Sequence, residues 1–169
     1  TILHDSPEKL PILNGMRAII VGGAATSPAL EEALQVITSP VYATYGMTET
    51  VSHIALRRLN GFTATNVFTA LNGVELGTDE RNTLNIRSAA TNFELVQTND
   101  VVELLDKTHF RLLGRADTII NSGGVKIQPE QVEQVISDVL RQAGLSWRVL
   151  TVGRPDNVLG QRVTAIYEV

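Results

Sequence analysis

The chain has 169 residues, 43% of them apolar and 19% charged, with a formal net charge of −4 and no cysteine. That length can bury one core and part of a second; the acidic balance argues against a nucleic-acid partner, and the lack of thiols excludes disulfides and thiolate metal sites. No segment reaches the roughly 18 consecutive apolar residues of a membrane span, and Thr1 to Asp5 lacks the basic and apolar regions of a signal peptide, so a cytoplasmic protein is expected.

Met16 to Val21 is an apolar, β-branched run closed by Gly22-Gly23, and it reads as a buried strand. Ser27 then stands as an N-cap, with Pro28 at the first helical position and Glu31-Glu32 in the first turn; Leu30, Leu34 and Ile37 share one helical face. Strand, glycine turn and helix together predict an α/β segment. Arg57-Arg58 reads as a solvated face. From about Val67 to Leu113 the pattern changes to short half-buried strands: Val74 to Leu76, Leu84 to Ile86, Val101 to Leu105 and Phe110 to Leu113. Turns at Asp79 to Asn82 and Asp106 to Thr108 separate them, which predicts a β-rich subdomain. Pro129 opens a helix with Val132, Val135, Ile136, Val139 and Leu140 at spacings of three and four, and Gly144 ends it. Strands at Arg148 to Val152 and Arg162 to Val169 complete the start of a small α+β domain.

Three stretches carry chemistry. Tyr45-Gly46-Met47-Thr48-Glu49-Thr50 offers a flat ring for a purine, a Thr48 hydroxyl for a phosphate oxygen and a hard Glu49 oxygen for Mg²⁺; the same residues also suit a polar turn after a strand Val41 to Ala43. Thr98-Asn99-Asp100 sets a carboxylate at a strand entrance, where it can accept both hydroxyls of a ribose, although Asn-Asp is also an ordinary turn. The run Gly114 to Ile127 (GRADTIINSGGVKI) holds a permanent cation, Arg115, an acid at the composition shift, Asp117, and a glycine pair, Gly123-Gly124. A hairpin loop with a glycine turn explains that pair equally well.

In this order, YGMTET, TND, GRADTIINSGGVKI and QPEQVE resemble the acyl-adenylate-forming superfamily of acyl- and aryl-CoA synthetases, luciferases and adenylation domains. The resemblance implies a large nucleotide-binding domain, an α/β segment with a β-rich subdomain, over residues 1–115. An incomplete small mobile α+β domain would follow over 116–169. It implies ATP, Mg²⁺ and CoA as cofactors and a small carboxylic acid as substrate: the acid attacks the α-phosphate to give an acyl-AMP, and the CoA thiol then displaces AMP.

By the same resemblance Gly22, Gly23 and Ala24 line the adenine pocket, with Tyr45 and Gly46 beside them. Thr48 contacts the α-phosphate, Glu49 holds Mg²⁺, and Asp100 and Arg115 bind the ribose. Thr48, Glu49 and Arg115 act by positioning and charge neutralisation. Asp117 is the hinge; Gly123 and Gly124 border the CoA tunnel, where Lys126 either meets a CoA phosphate or stands in solvent. Asn99 replaces the family's usual glycine, which its tolerance of positive φ allows.

The stretch YGMTETVSHIALR is most similar to o-succinylbenzoate–CoA ligases of menaquinone biosynthesis, which puts Ser52 and His53 near the acyl group, or leaves His53 as a capping residue. Another acyl- or aryl-CoA synthetase, a carrier-protein-loading enzyme and a non-catalytic AMP-binding module are the alternatives. The family's phosphate loop belongs upstream of Leu3 and its catalytic lysine beyond Val169. The expectation is therefore a piece of a longer enzyme, inactive alone, that can expose apolar surface or use it in a homodimer.

Overall fold

In the computed structural model, residues 6–23, 25–145 and 147–168 are described. Helix α1 (Leu10–Asn14) leads to strand β1 (Ile19–Val21), and α2 (Pro28–Ala33) connects it to the parallel strand β2 (Val41–Gly46) in the register Ile19↔Val41. As expected, Ser27 caps α2: its Oγ accepts the Leu30 N–H at 3.2 Å, with Pro28 next in line. Leu34 and Ile37, at the end of this helical stretch, are buried. The run from Met16 differs from the expected buried strand. Only three of its residues pair, at one end of the sheet order with β2 as the hydrogen-bonded neighbour among the described strands, and Ile20, whose side chain leaves the opposite face from Ile19 and Val21, is 58% exposed.

The antiparallel strands follow: β3 (His53–Arg58), β4 (Val67–Ala70), β5 (Glu75–Thr78), β6 (Thr83–Arg87), β7 (Val96–Leu104) and β8 (His109–Arg115). The hydrogen-bonded order is β1-β2-β3-β4-β8-β7-β6-β5. A second sheet runs β10 (Val125–Ile127), β9 (Ile120–Ser122), β12 (Gly160–Glu168), β11 (Arg148–Asp156). Helix α3 (Pro129–Gln142) packs on β11, where the Glu133 carboxylate accepts the Thr151 N–H at 2.5 Å. Among the described residues no helix is long and apolar enough to cross a membrane.

By contact the chain divides into two compact units. The first comprises Thr1–Gly77, Asn85–Val96 and Leu104–Arg111; the second comprises Thr78–Leu84, Gln97–Glu103 and Leu112–Val169. Val41, Leu59, Ile86 and Phe110 anchor the first core. Its polar fastener is Asn60, which is 1% exposed. The Asn60 amide donates to the carbonyls of Ile37 (2.6 Å) and Ser39 (3.0 Å), and its oxygen accepts from Val41 N and Arg58 Nε, both at 2.9 Å. Every polar group of that side chain is thus occupied, as a buried amide requires. Arg57 departs from the expected solvated face: only 14% of its side chain is exposed, it is ion-paired to Glu31, and its guanidinium lies 5.6 Å from the Phe68 ring centroid.

In the second unit, α3 ends as anticipated. Gly144 takes φ +75 and Leu145 N bonds Leu140 O at 2.9 Å, a Schellman stop. The apolar stripe of α3 is split, however: Val135 and Val139 are 63% and 60% exposed, while Val132, Ile136 and Leu140 are half-buried. Strand β11 runs on past the expected Val152 and β12 begins before the expected Arg162, because a ladder from Arg148↔Glu168 to Asp156↔Gly160 carries the polar residues with it; Val169, the expected end of the second strand, lies outside the described residues.

Candidate functional site

The first group of residues lies in the first unit. Gly22 follows β1, and a Cβ there would stand 2.4 Å from Thr44 Oγ1, so any larger residue makes that hydroxyl move; Gly23 has φ +94. Ala24 lies outside the described residues. Tyr45 and Gly46 belong to β2 rather than to a turn: the strand expected to stop at Ala43 runs on to Gly46, paired to β3. The Tyr45 ring is 7% exposed and meets Phe68 and Phe110 edge-on, with centroids at 5.8 and 5.2 Å.

At Gly46 the β2–β3 register shifts, and the chain crosses Ser52-His53 so closely that a Cβ would lie 2.4 Å from the Ser52 carbonyl oxygen. Thr48–Thr50 then forms one 3-10 turn, stapled by Thr50, a residue to which sequence reasoning gave no role. Thr50 is fully buried; its Oγ1 accepts Met47 N (3.0 Å) and lies within hydrogen-bond distance of the Met47 (3.0 Å) and Ser52 (2.8 Å) carbonyl oxygens. The signal for it was legible, since a threonine three residues after the turn's first residue is a local capping pattern.

The staple leaves the Thr48 and Glu49 side chains exposed, and it strains Val51, a β-branched residue at φ +62. Ser52 Oγ and His53 Nδ1 are 3.2 Å apart. Among the described residues no group of three or more His, Cys, Asp or Glu side chains could hold a metal ion. A single exposed carboxylate such as Glu49 fits Mg²⁺ when phosphate oxygens and water complete the octahedron.

The second group lies in the second unit. Asp100 sits within β7, not at a strand entrance, and Asn99 beside it is in extended strand with no positive φ, so the replacement of glycine there needs no special conformation. The 98–100 segment is held by Asp100 N donating to Thr98 Oγ1 (3.0 Å) and Ala116 N donating to Asn99 O (2.7 Å). Arg115, the last residue of β8, joins two acids. Its Nη1 donates to Asp100 Oδ1 at 3.2 Å, and Nε and Nη2 form a fork on Asp117 at 2.9 and 2.7 Å. The Arg115 hydrogen bonds hold the Asp117 carboxyl below the usual carboxylate range. The Asp100 side chain is 13% exposed, whereas Arg115 and Asp117 are half in solvent.

Gly114, just before Arg115, is buried at φ +150, and a Cβ on it would meet Glu130 Oε2 at 2.5 Å and Gln128 Oε1 at 2.7 Å. Those two oxygens are buried without a hydrogen-bond partner among the described residues, while Glu130 Oε1 accepts from Thr118 Oγ1 at 3.2 Å. Gly123 (φ +59) and Gly124 (φ +86) form the two-residue turn of the β9–β10 hairpin, with positive φ at both central positions as the favoured hairpin turn requires. Gly123 N donates to Leu159 O at 2.8 Å, and Lys126 is exposed on β10.

These two groups sit on a fold shared with AMP-forming ligases. Over 98% of its length the chain matches an acyl-CoA synthetase (AMP-forming)/AMP-acid ligase II-like protein from Dyadobacter fermentans, with 40% identity and a TM-score of 0.65. The chain belongs to the acyl-adenylate-forming superfamily, and its relatives are acyl-CoA ligases. A 2-succinylbenzoate–CoA ligase of Staphylococcus epidermidis is 30% identical over 145 residues, 73% of this chain. The o-succinylbenzoate coenzyme A synthetase of Bacillus subtilis in complex with ATP and magnesium ion shares the fold, with a TM-score of 0.64 over 95% of this chain at 20% identity. The chain spans 31% of the length of the Staphylococcus relative, 47% of the Dyadobacter chain and 39% of the Bacillus chain. No family model matches it.

Proposed function

We propose that this chain supplies the ribose-binding, magnesium-binding and hinge segments of an ATP-dependent acid–CoA ligase, one that activates o-succinylbenzoate. The observation that carries the reading is the Arg115 fork, which ties Asp100 to Asp117 (3.2 and 2.7 Å) inside the sequence run most specific to the superfamily. A carboxylate 13% exposed and backed by a cation presents the acceptors that ribose hydroxyls need. Thr48 and Glu49 stand exposed on a stapled turn, available to a phosphate oxygen and to Mg²⁺. Gly22 and Gly23 keep the adenine side open to close backbone approach. Tyr45 is too buried to stack openly on a purine, so its contribution is to support that side from beneath. Ser52 and His53 would face the acyl group. Asp117 would be the hinge between a large domain ending near residue 115 and a small mobile one, and Gly123, Gly124 and Lys126 would border the CoA path. ATP and Mg²⁺ supply the leaving pyrophosphate and the charge neutralisation; the residues named here bind and orient.

The naming of the Staphylococcus relative and the similarity at Tyr45 to Arg57 favour o-succinylbenzoate as the acid. The test is AMP binding to this chain, followed by acid-dependent pyrophosphate release by the ligase that contains it. Asp100→Ala should weaken AMP binding about tenfold or more, the worth of a hydrogen bond to a charged group. Equal binding by wild type and variant would refute the ribose role, and turnover with other acids but not o-succinylbenzoate would refute the substrate.

A further inference from the structure

The β11–β12 ladder sets Arg154 directly opposite Arg162, so both guanidiniums leave the same face of the pair. Like charges in that relation destabilise a sheet unless something neutralises them. Asp156 neutralises one: its Oδ2 accepts from Arg162 Nη2 at 2.6 Å, and its Oδ1 accepts Val158 N (2.9 Å) and Leu159 N (3.0 Å) at the hairpin tip. The Asp156 side chain is 9% exposed. Arg154, Asn157 and Thr164 have no side-chain hydrogen-bond or ion-pair partner among the described residues. Together with Pro155, Asp156 and Arg162 they line one hollow of about 440 Å³. The lining therefore carries a surplus of donors: one guanidinium without a partner, the outward N–H groups of a second, an amide and a hydroxyl. The sole carboxylate, Asp156, already accepts three hydrogen bonds.

We propose that this hollow is a phosphate-binding site, in which Arg154 and Arg162 bracket the phosphate oxygens, with Asn157 and Thr164 as flanking donors. Two planar guanidiniums on one face match the oxygens of a phosphate or diphosphate, and the open hollow between them leaves such a group accessible from solvent. Binding there relieves the Arg154–Arg162 repulsion. The inference stands apart from the ligase reading, because it is read by direct binding to this chain without turnover.

The experiment is calorimetric titration of inorganic pyrophosphate into the whole chain as wild type, R154Q and R154K, with thermal melts to verify that each folds. Arg154 is exposed, so R154K should melt with wild type, and R154Q, which removes one of the two opposed charges, should melt with it or slightly above. Saturable binding by wild type is expected, weakened at least about tenfold in R154Q and only partly in R154K, and weakened again as salt rises. Repeating the titration with CoA and with ATP tells which compound delivers the phosphate: the one whose affinity falls in R154Q. No saturable pyrophosphate binding by wild type, or equal affinity in R154Q, would overturn the proposal.

Discussion

Replacing Gly46 by alanine tests the geometry that presents Thr48 and Glu49. Three atoms crowd the added Cβ: Ser52 O at 2.4 Å, His53 Cα at 2.7 Å and the Ser52 carbonyl carbon at 2.9 Å. All three are backbone, so no rotamer change relieves the clash; β2 and β3 must separate by roughly an ångström at their register shift. The φ of Gly46 is not positive, so conformational strain adds nothing and the cost is overpacking, about 1–3 kcal/mol. For a chain of this size that lowers Tm by roughly 2–4 °C per kcal/mol. Gly15 is the control with the opposite sign. It is the C-cap of α1, in the right-handed helical region at φ −87, and its Cβ would meet only two carbonyl oxygens at 3.5 Å, so Gly15→Ala should stabilise by about 0.4–1 kcal/mol through the unfolded chain. Urea unfolding followed by circular dichroism measures both. A Gly46→Ala variant as stable as wild type would refute the close crossing, and with it the account of how the 47–52 turn is held.

Asn60→Ala removes four hydrogen bonds and leaves Val41 N and the Ile37 and Ser39 carbonyls unsatisfied in a buried place, at about 1–3 kcal/mol for each group left without a partner; a fall in urea midpoint at unchanged m-value is the expected signature. Gly114→Ala should cost about 1–3 kcal/mol for a different reason, the alanine being held at φ +150, because Glu130 and Gln128 can swing their side-chain ends away; Glu130→Ala should therefore fail to rescue it in the same unfolding assay. Asp106 is held at about 2 by the Thr108 N–H first and by His109 next, against an ordinary value of 3.8. Its folded pKa is depressed, so the stability it contributes is complete above 3.8 and is lost as pH falls from 3.8 towards 2. Asp106→Asn should flatten the acid limb of a stability–pH curve over that interval, measured by thermal melts.

Much of this protein is written locally. The α2 cap at Ser27-Pro28, the Gly144 stop, the Asp79 and Asp106 turns and the Gly123-Gly124 hairpin are each set by a few neighbouring residues, so the sequence alone specifies them. The ordered motifs were also enough to indicate the family, which the relatives bear out. What lay beyond sequence was decided by partners distant in the chain. Tyr45 reads as an open ring, yet Phe68 and Phe110 bury it; Arg57 reads as solvated, yet Glu31 takes it inward. Ile20 reads as core, yet the face of β1 it projects from is open and it is 58% exposed. Thr98 to Asp100 reads as a strand entrance or a turn, yet it lies inside β7, where Ala116 N bonds Asn99 O. The opposition of Arg154 and Arg162, too, exists only through the β11–β12 register. Local pattern fixes the conformation of a short segment. Burial and charge compensation depend on which segments meet, and only the tertiary structure decides that.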